Sequence, residues 1–160
     1  MTTRDDSSAE DLSDREIVSS RVFDAPPERL FEAWADPIQL AQWWGPHGFT
    51  DTFAEFDLKP GGRWRFIIHG PDGTDSKNHS IFVEVVRPVR IVYDHVSGPK
   101  FQFTANFEEQ SVQTRLTFLM RFEATAACER AKTYAIEGNE QNFDRLAAHF
   151  GEDALRRPLM

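Results

Sequence analysis

The sequence predicts one α+β domain in which a curved antiparallel sheet wraps around a long C-terminal helix. Three observations support this fold class. A strand-like segment at the start is followed by two short helical segments, then by alternating segments separated by turns, then by a long amphipathic segment. The chain has 160 residues, 40% hydrophobic and 28% charged. That length and composition fit a single globular domain with its own core.

The N-terminal third predicts a tail, one strand and two helices. Residues 1–14 are rich in Ser, Thr, Asp and Glu, which is typical of a disordered acidic tail. Glu16 to Phe23 alternates and predicts the first strand. Ala25-Pro26-Pro27 ends that strand and allows a helix to begin, because proline is tolerated in a first helical turn. At Asp36-Pro37 an N-cap and a first-turn proline predict a second short helix, which runs to Trp43-Trp44.

Six further strands are expected between the short helices and the last helix. They are predicted at Thr52–Leu58, Arg63–His69, Ile81–Val86, Ile91–Val96, Phe101–Phe107 and Val112–Phe122. Turns such as Lys59-Pro60-Gly61-Gly62 separate them. Because most connections are short, the strands should form an antiparallel meander. Alternation places Trp64 and Phe66 on one face of their strand, and Phe103 and Phe118 on the apolar faces of theirs.

The last helix is expected to run from a cap at Thr125 to about Phe150. Its apolar side holds Cys128, Ala135, Leu146 and Phe150, flanked by Ala131, Ile136, Phe143 and Ala147. Asn139 and Asn142 fall on or beside that side. They could hydrogen-bond a ligand, or instead the sheet backbone or a buried water. We therefore expect a folded domain over residues 15–152 and a C-terminal tail over residues 153–160.

The proportions of these elements predict a cavity. Seven strands spaced about 4.8 Å apart make a sheet roughly 34 Å wide. One helix of about 10–12 Å diameter cannot cover such a sheet while it is flat, so the sheet must curl and leave a gap. We expect a small hydrophobic or amphipathic molecule to bind in this gap, between sheet and C-terminal helix. In the alternative, the 14 Phe and 4 Trp of the chain fill the gap themselves.

Several motifs, in order, resemble one known family. They are Val22-Phe23-Asp24-Ala25-Pro26-Pro27-Glu28-Arg29-Leu30-Phe31-Glu32-Ala33-Trp34, Asp36-Pro37, Trp43-Trp44-Gly45-Pro46, Asp57-Leu58-Lys59-Pro60-Gly61-Gly62-Arg63-Trp64 and Glu84…Pro88…Ile91-Val92-Tyr93. Residues 15 to 150 resemble the bacterial family similar to the C-terminal domain of the activator of the 90-kDa heat-shock protein ATPase. The resemblance implies the START/Bet v 1-like helix-grip fold, in β-α-α-β6-α order. That fold hosts lipid carriers, polyketide cyclases, resistance proteins and co-chaperones.

The resemblance also draws attention to the middle of the last helix. Family members often carry Gly-Trp there, whereas this chain has Gly138-Asn139. An amide in place of an indole should make the wall of a cavity smaller and more polar.

The candidate ligand-binding residues are aromatic and polar side chains from the expected cavity. They are Trp43, Trp44, Trp64, Phe66, Glu84, Tyr93, His95, Phe103, Phe118, Asn139 and Asn142. Trp43 and Trp44 could line the cavity or staple the short helix to the sheet. Tyr93 and His95 share one strand face, and we favour the inward orientation. Glu84 could be an inward carboxylate with a raised pKa, although a structural ion pair with an arginine is favoured.

Two alternatives to a binding module stay open at this point. One is a cyclase or hydratase that uses Glu84, Tyr93 or His95 as acid or base. The other is a co-chaperone or other protein-interaction module, which the family name alone suggests. No catalytic residue is assigned. The five histidines lack HxH or HExxH spacing, and no nucleotide-binding motif is present, so we expect neither metal nor cofactor.

Charge and cysteine content predict the environment. The net charge is −8, and the chain has no basic stripe, which argues against nucleic acid as a partner. Apolar runs are too short for membrane insertion. One cysteine suits a reducing cytoplasm. A homodimer through an edge strand is possible in principle for such a sheet.

Overall fold

The computed structural model describes residues 14–151. Along the chain, the elements are β1 (Glu16–Phe23), α1 (Pro27–Ala35), α2 (Pro37–Trp43), β2 (Thr50–Phe56), β3 (Arg63–His69), β4 (Asp75–Val86), β5 (Arg90–His95), β6 (Phe101–Gln110), β7 (Gln113–Phe122) and α3 (Thr125–His149). This is the predicted β-α-α-β6-α order. The tails predicted at residues 1–14 and 153–160 lie outside the described residues, apart from Asp14.

All seven strands form one curved antiparallel sheet, in the order β1-β7-β6-β5-β4-β3-β2. Strands β2 to β7 form the predicted meander, and β1 pairs with β7 from Glu16 opposite Arg121 to Phe23 opposite Thr114. The chain therefore begins and ends its sheet at one edge. Helix α3 lies against the inner side of β1 and β7. We call β1, β7 and α3 the helix-side half, and the inner face of β2 to β5 the far half.

The turn between β2 and β3 shows why the sequence needs two glycines there. Gly61 has a positive φ of 84°, which L side chains rarely adopt. A Cβ on Gly62 would lie 1.9 Å from the carbonyl oxygen of Asp57. The turn also joins the sheet, because the Gly61 amide donates to the Phe82 carbonyl and the Phe82 amide donates to the Gly62 carbonyl. The turn thereby fixes Phe82 against β3.

Several boundaries differ from the prediction. Strand β4 begins at Asp75, six residues before the predicted Ile81, because its polar first half pairs fully with β3, from His69 opposite Asp75 to Arg63 opposite Ile81. Strand β2 covers Thr50–Phe56 rather than the predicted Thr52–Leu58. The bounds of both strands are set by backbone hydrogen bonding to β3, which cannot be predicted from the alternation of polar and apolar side chains.

The helices follow the predicted signals with two corrections. Asp36 caps α2, as expected, by accepting a hydrogen bond from the Ile38 amide at 3.0 Å. The predicted cap at Thr125 is wrong: Thr125 is the first helical residue of α3, and Ala124 occupies the N-cap position without a side-chain bond. Ile136, expected to flank the apolar side, is 48% exposed, whereas Asn142, expected on or beside it, is buried. The buried stripe of α3 is therefore rotated away from Ile136.

Candidate ligand-binding site

The centre of the molecule is a cluster of aromatic rings that several elements build together. Trp34 lies in the last turn of α1, and α2 ends with Trp43 and is followed directly by Trp44. Trp34 and Trp43 are fully buried, and Trp44 is partly buried. The Trp44 ring contacts the rings of Trp34 at 5.3 Å, Trp43 at 5.6 Å, Trp64 at 5.3 Å, Phe103 at 5.9 Å and Phe118 at 6.1 Å between centroids. Trp44 thus joins the rings of the short helices to those of the sheet.

The sheet contributes a continuous row of rings to this cluster. Neighbouring strands bring together Trp64 and Phe82 at 6.2 Å, Phe82 and Tyr93 at 6.1 Å, Tyr93 and Phe103 at 4.9 Å, and Phe103 and Phe118 at 4.9 Å. Phe66 stacks on Trp64 at 4.6 Å, and Phe118 meets Phe143 of α3 at 4.6 Å. The structure thus gathers seven of the predicted residues. They are Trp43, Trp44, Trp64, Phe66, Tyr93, Phe103 and Phe118.

Within these aromatic surroundings, three polar groups have no hydrogen-bond partner among the described residues. They are Trp34 Nε1, Trp64 Nε1 and Ser80 Oγ. Trp34 and Trp64 are fully buried, and Ser80 is 1% exposed. A buried polar group without a partner is costly, and native proteins seldom contain one without a reason. Trp34 and Ser80 are not among the candidate ligand-binding residues predicted from the sequence. Alternation with Phe82 two residues later could have placed Ser80 on the inner face.

Tyr93 and His95 both lie on the inner face of β5, the orientation the sequence favoured. Tyr93 is 3% exposed, and burial raises the pKa of its phenol far above the usual range. His95 Nδ1 lies 2.8 Å from the Pro99 carbonyl oxygen, and its Nε2 lies 2.9 Å from Oδ1 of Asn78. Burial lowers the pKa of His95, and the bond to Pro99 opposes that shift. Both ring nitrogens are therefore engaged within the protein.

Asn139 and Asn142 serve the protein's own contacts. The Asn142 side chain donates to the Trp43 carbonyl at 2.8 Å and accepts from the Gly45 amide at 3.3 Å. Asn139 donates to Ser19 Oγ at 3.2 Å. The observed partners are the backbone around the end of α2 and a side chain of β1 rather than the sheet backbone, and a contact of either asparagine with a ligand stays a prediction.

Arg145 of α3 holds the loop that carries Trp44. Its guanidinium donates to the carbonyl oxygens of Gln42, Trp44, Gly45 and Pro46, at 3.0 to 3.1 Å. Together, Asn142 and Arg145 bind nearly every backbone group of this turn that α2 leaves unpaired. The position of the Trp44 ring thus depends on two side chains about 100 residues further along the chain.

Asp51 is a second buried group that the sequence did not single out. It lies on the inner face of β2, opposite Ile68, and neither carboxyl oxygen has a partner among the described residues. Burial raises the pKa of Asp51 to about 7, and the charges of Arg145 and His69 oppose the shift. The inward orientation of Asp51 could not be predicted, because Asp51 and its neighbour Thr50 are both polar and the segment resembles a loop.

Glu84 lies outside the aromatic interior, so its inclusion among the candidate site residues is corrected. A β-bulge between Phe82 and Glu84 turns Val85 toward the core and Glu84 away from it. Its carboxylate accepts from Arg90 at 3.0 and 3.3 Å, and that bond lowers the pKa of Glu84. The favoured alternative, an ion pair with an arginine, is confirmed.

Two open clefts lie on the surface, away from the centre of the ring cluster. One of about 530 Å³ lies at the ends of β5, β6 and β7, and its lining includes His95, Phe101 and Arg121. The other, of about 550 Å³, lies beside α1 and the end of α3.

Over residues 14–151, no three His, Cys, Asp or Glu side chains are grouped so as to hold a metal ion. No helix within that range is long and apolar enough to cross a membrane.

Solved structures resemble this fold over most of its length. A protein from Nitrosomonas europaea has a TM-score of 0.81 at 17% identity, covering 88% of this chain and 97% of that chain. Proteins from Chromobacterium violaceum and Mycobacterium smegmatis are 27% and 26% identical, with TM-scores of 0.73 and 0.77. The matches cover 83% of this chain and 95% of the first of these proteins, and 86% and 92% for the second. No curated protein matches the sequence.

The curved seven-stranded sheet around a long C-terminal helix, with two short helices after β1, is a helix-grip fold of the START/Bet v 1-like superfamily. Within it, the model of one family matches residues 24–151. The chain belongs to the family described as Activator of Hsp90 ATPase homolog 1-like protein. The resemblance seen in the sequence motifs is thereby confirmed.

Proposed function

We propose that this protein binds a small, largely apolar molecule in the aromatic interior between the sheet and α3. The observation that carries this proposal is the presence of three unpaired polar groups, on Trp34, Trp64 and Ser80, inside a cluster of aromatic rings. Aromatic surfaces with a few polar groups are the usual lining of small-molecule sites. The fold supports the proposal, because proteins with this fold commonly bind hydrophobic ligands.

Trp44 is the part of the interior that has to move for a ligand to enter. Its ring contacts five others, yet it is only partly buried, and it follows the last residue of a seven-residue helix. The loop that carries it is held by hydrogen bonds to Asn142 and Arg145 rather than by a sheet. A ligand that replaces the Trp44 ring would meet the same aromatic partners. The apparent affinity for the ligand is then much lower than the intrinsic affinity, because the Trp44 ring is displaced in only a small fraction of the molecules.

Uptake of fluorene, a flat hydrocarbon, tests this proposal. We expect the protein to bind fluorene, and Trp44→Ala to bind it about tenfold more tightly, because an apolar cavity left by a removed ring accepts apolar ligands. Trp43→Phe is the matched control, since Trp43 is fully buried and donates to the Ala33 carbonyl. Titration followed by tryptophan fluorescence measures the affinity, with circular dichroism as a check of folding. Failure of both the original protein and Trp44→Ala to bind would refute the proposal.

Acid–base catalysis is a second candidate, and Asp51 is the observation that favours it. A carboxyl with a pKa of about 7 can both donate and accept a proton near neutral pH. Of the residues first considered for this role, Glu84 lies outside the interior, and both ring nitrogens of His95 are engaged. In a screen of hydration and cyclisation reactions, Asp51→Asn should abolish any turnover found while fluorene binding is retained. Unchanged turnover in that variant would exclude this role for Asp51.

A further inference from the structure

Trp64, Ser80 and His95 form one row across three neighbouring strands. Ser80 of β4 lies directly opposite Trp64 of β3 on one side and His95 of β5 on the other. Side chains directly opposite one another point to the same face of a sheet, with Cβ atoms about 5 Å apart. All three are buried, with 0%, 1% and 9% exposure respectively. The row therefore concentrates polar atoms on the far half of the inner face.

The hydrogen-bonding capacity of this row is only partly used. His95 is engaged at both ring nitrogens, by Pro99 and Asn78. The Trp64 indole N–H and the Ser80 hydroxyl have no partner among the described residues. An indole N–H can only donate, and a hydroxyl can donate as well as accept. Two unpaired donors thus belong to residues that lie directly opposite each other on neighbouring strands.

The surroundings of the two donors determine what they can bind. The Trp64 ring contacts Trp34, Phe82 and Tyr93, at 5.2, 6.2 and 5.4 Å between centroids. The nearby imidazole has no free nitrogen, and burial lowers its pKa. Arg145 is bound to the backbone carbonyls of the Trp44 loop. An anionic ligand would therefore lose its hydration without meeting a charged partner, which is strongly unfavourable.

We propose that Trp64 and Ser80 together bind the carbonyl oxygen of an uncharged aromatic ketone or quinone. The indole N–H and the serine hydroxyl each donate one hydrogen bond to that oxygen, and the aromatic rings enclose the rest of the molecule. A carbonyl oxygen has two lone pairs and so accepts from both donors. This assignment rests on the proposed function and adds the chemical class of the ligand.

A purely structural role explains these two groups poorly. Alanine at position 80 and phenylalanine at position 64 would leave the row without an unpaired donor, and Trp34 Nε1 would be the one buried indole N–H of the surrounding cluster still without a partner among the described residues. Elsewhere on the inner face, the comparable serine, Ser19, has a partner in Asn139 at 3.2 Å. The chain thus satisfies a buried serine where it contacts α3 and leaves one unsatisfied where the aromatic rings meet.

The test compares 9-fluorenone with fluorene, two flat molecules of nearly the same shape that differ by a carbonyl group. We expect the protein to bind fluorenone about tenfold more tightly than fluorene, the preference that one to two net hydrogen bonds provide. Ser80→Ala should reduce this preference to about threefold, and Ser80→Ala combined with Trp64→Phe should remove it. Ser19→Ala is the matched control and should leave the preference unchanged. Infrared difference spectra should show the carbonyl stretch of bound fluorenone at lower frequency in the original protein than in Ser80→Ala.

Each other outcome overturns the proposal in a distinguishable way. Equal binding of fluorene and fluorenone would overturn this assignment and leave the proposed function intact. A preference retained in the double variant would place the carbonyl elsewhere. Tighter binding of fluorene-9-carboxylate than of fluorenone would show that the site takes anions. Failure of all three probes to bind, also in Trp44→Ala, would overturn the proposed function together with this inference.

Discussion

The two halves of the inner face treat buried polar groups differently. In the helix-side half, such groups have partners. Thr114 Oγ1 donates to the Ala25 carbonyl at 2.7 Å, Asn139 donates to Ser19, and Asn142 is bonded on both sides of its amide. These bonds tie β1, β7, α3 and the α2 turn to one another. A side chain that connects two elements in this way stabilises the fold itself.

In the far half, the buried polar atoms of Asp51, Trp64 and Ser80 lack partners among the described residues, whereas His95 is bonded at both ring nitrogens. Over residues 14–151, the buried side-chain nitrogen and oxygen atoms without a hydrogen-bond partner belong to five residues. They are Trp34, Asp51, Trp64, His79 and Ser80. Four of the five point into the interior or lie on its inner face, and His79 is on the opposite face of β4. None belongs to β1, β6, β7 or α3. The difference teaches that buried polar side chains of the helix-side half connect elements of the fold, whereas those of Asp51, Trp64 and Ser80 in the far half make no such connection among the described residues.

The largest effect should come from breaking the helix-side half at Asn142. Asn142→Ala leaves the Trp43 carbonyl and the Gly45 amide without their partner, so we expect a loss of about 2 to 4 kcal/mol in the free energy of unfolding. Asn139→Ala is the control, because its bonds to Ser19 Oγ and Met120 Sδ are only partly buried, and should cost about 1 kcal/mol. Urea denaturation measures both. A loss below 1 kcal/mol for Asn142→Ala would contradict the structural role assigned to it.

Asp51 provides a pH-dependent contrast in the far half. Its pKa of about 7 in the folded protein lies above its ordinary value of 3.8, so ionisation opposes folding. The protein should therefore lose stability as the pH rises from about 4 through 7. Asp51→Asn should remove that loss. At pH 8 we expect it to be more stable by about 1 to 2 kcal/mol, a value reduced for the partial exposure of this residue.

The measurement for Asp51 is urea denaturation at several pH values. The gain from Asp51→Asn should vanish below about pH 4, where the carboxyl is protonated in both folded and unfolded chains. A gain of the same size at pH 4 and pH 8 would show that its origin is not the titration of Asp51.

A pair of hydroxyl deletions sharpens the comparison directly. Thr114→Val removes a donor that the Ala25 carbonyl uses, and we expect it to cost about 1 to 2 kcal/mol. Ser80→Ala removes a hydroxyl without a partner, so stability should change by less than about 0.5 kcal/mol or rise slightly. Thermal and urea unfolding of both variants measure the difference. Equal costs would mean that Ser80 has a partner in solution.

The smallest effect is expected outside both halves, at Glu84. Glu84→Gln removes an exposed ion pair with Arg90, and such pairs contribute little to stability. The unfolding midpoint and the affinity for fluorene should both stay within experimental error of those of the original protein. Weaker fluorene binding in this variant would return Glu84 to the list of site residues.

The fold was largely predictable from the sequence, because its signals are local. Asp36 before Pro37 begins α2 as expected, and alternation places Trp64 and Phe66 on the inner face together. Boundaries failed where pairing rather than side-chain pattern decides, as in the polar first half of β4. The bulge after Phe82 was equally invisible, because a single added residue reverses which side chains face inward.

The site was only partly predictable. The aromatic residues follow from composition and alternation, but the unpaired state of Ser80 and Trp34 depends on which atoms surround them in three dimensions. Arg145 was not identified, because its partners are backbone carbonyls about 100 residues away. A ligand-sized cavity between sheet and helix stays a prediction. Protein interaction, homodimerisation and a cytoplasmic location also stay predictions.

The pairing of β1 with β7 has a consequence for how the chain is made. A ribosome releases β1 first, yet its hydrogen-bonding neighbour follows about 90 residues later, and α3 later still. During synthesis, the edge of β1 and the tryptophans of the short helices are made before the strands and the helix that they contact in the folded protein. Such a topology is completed only once the last helix emerges, which favours assistance by chaperones over stepwise maturation of the nascent polypeptide.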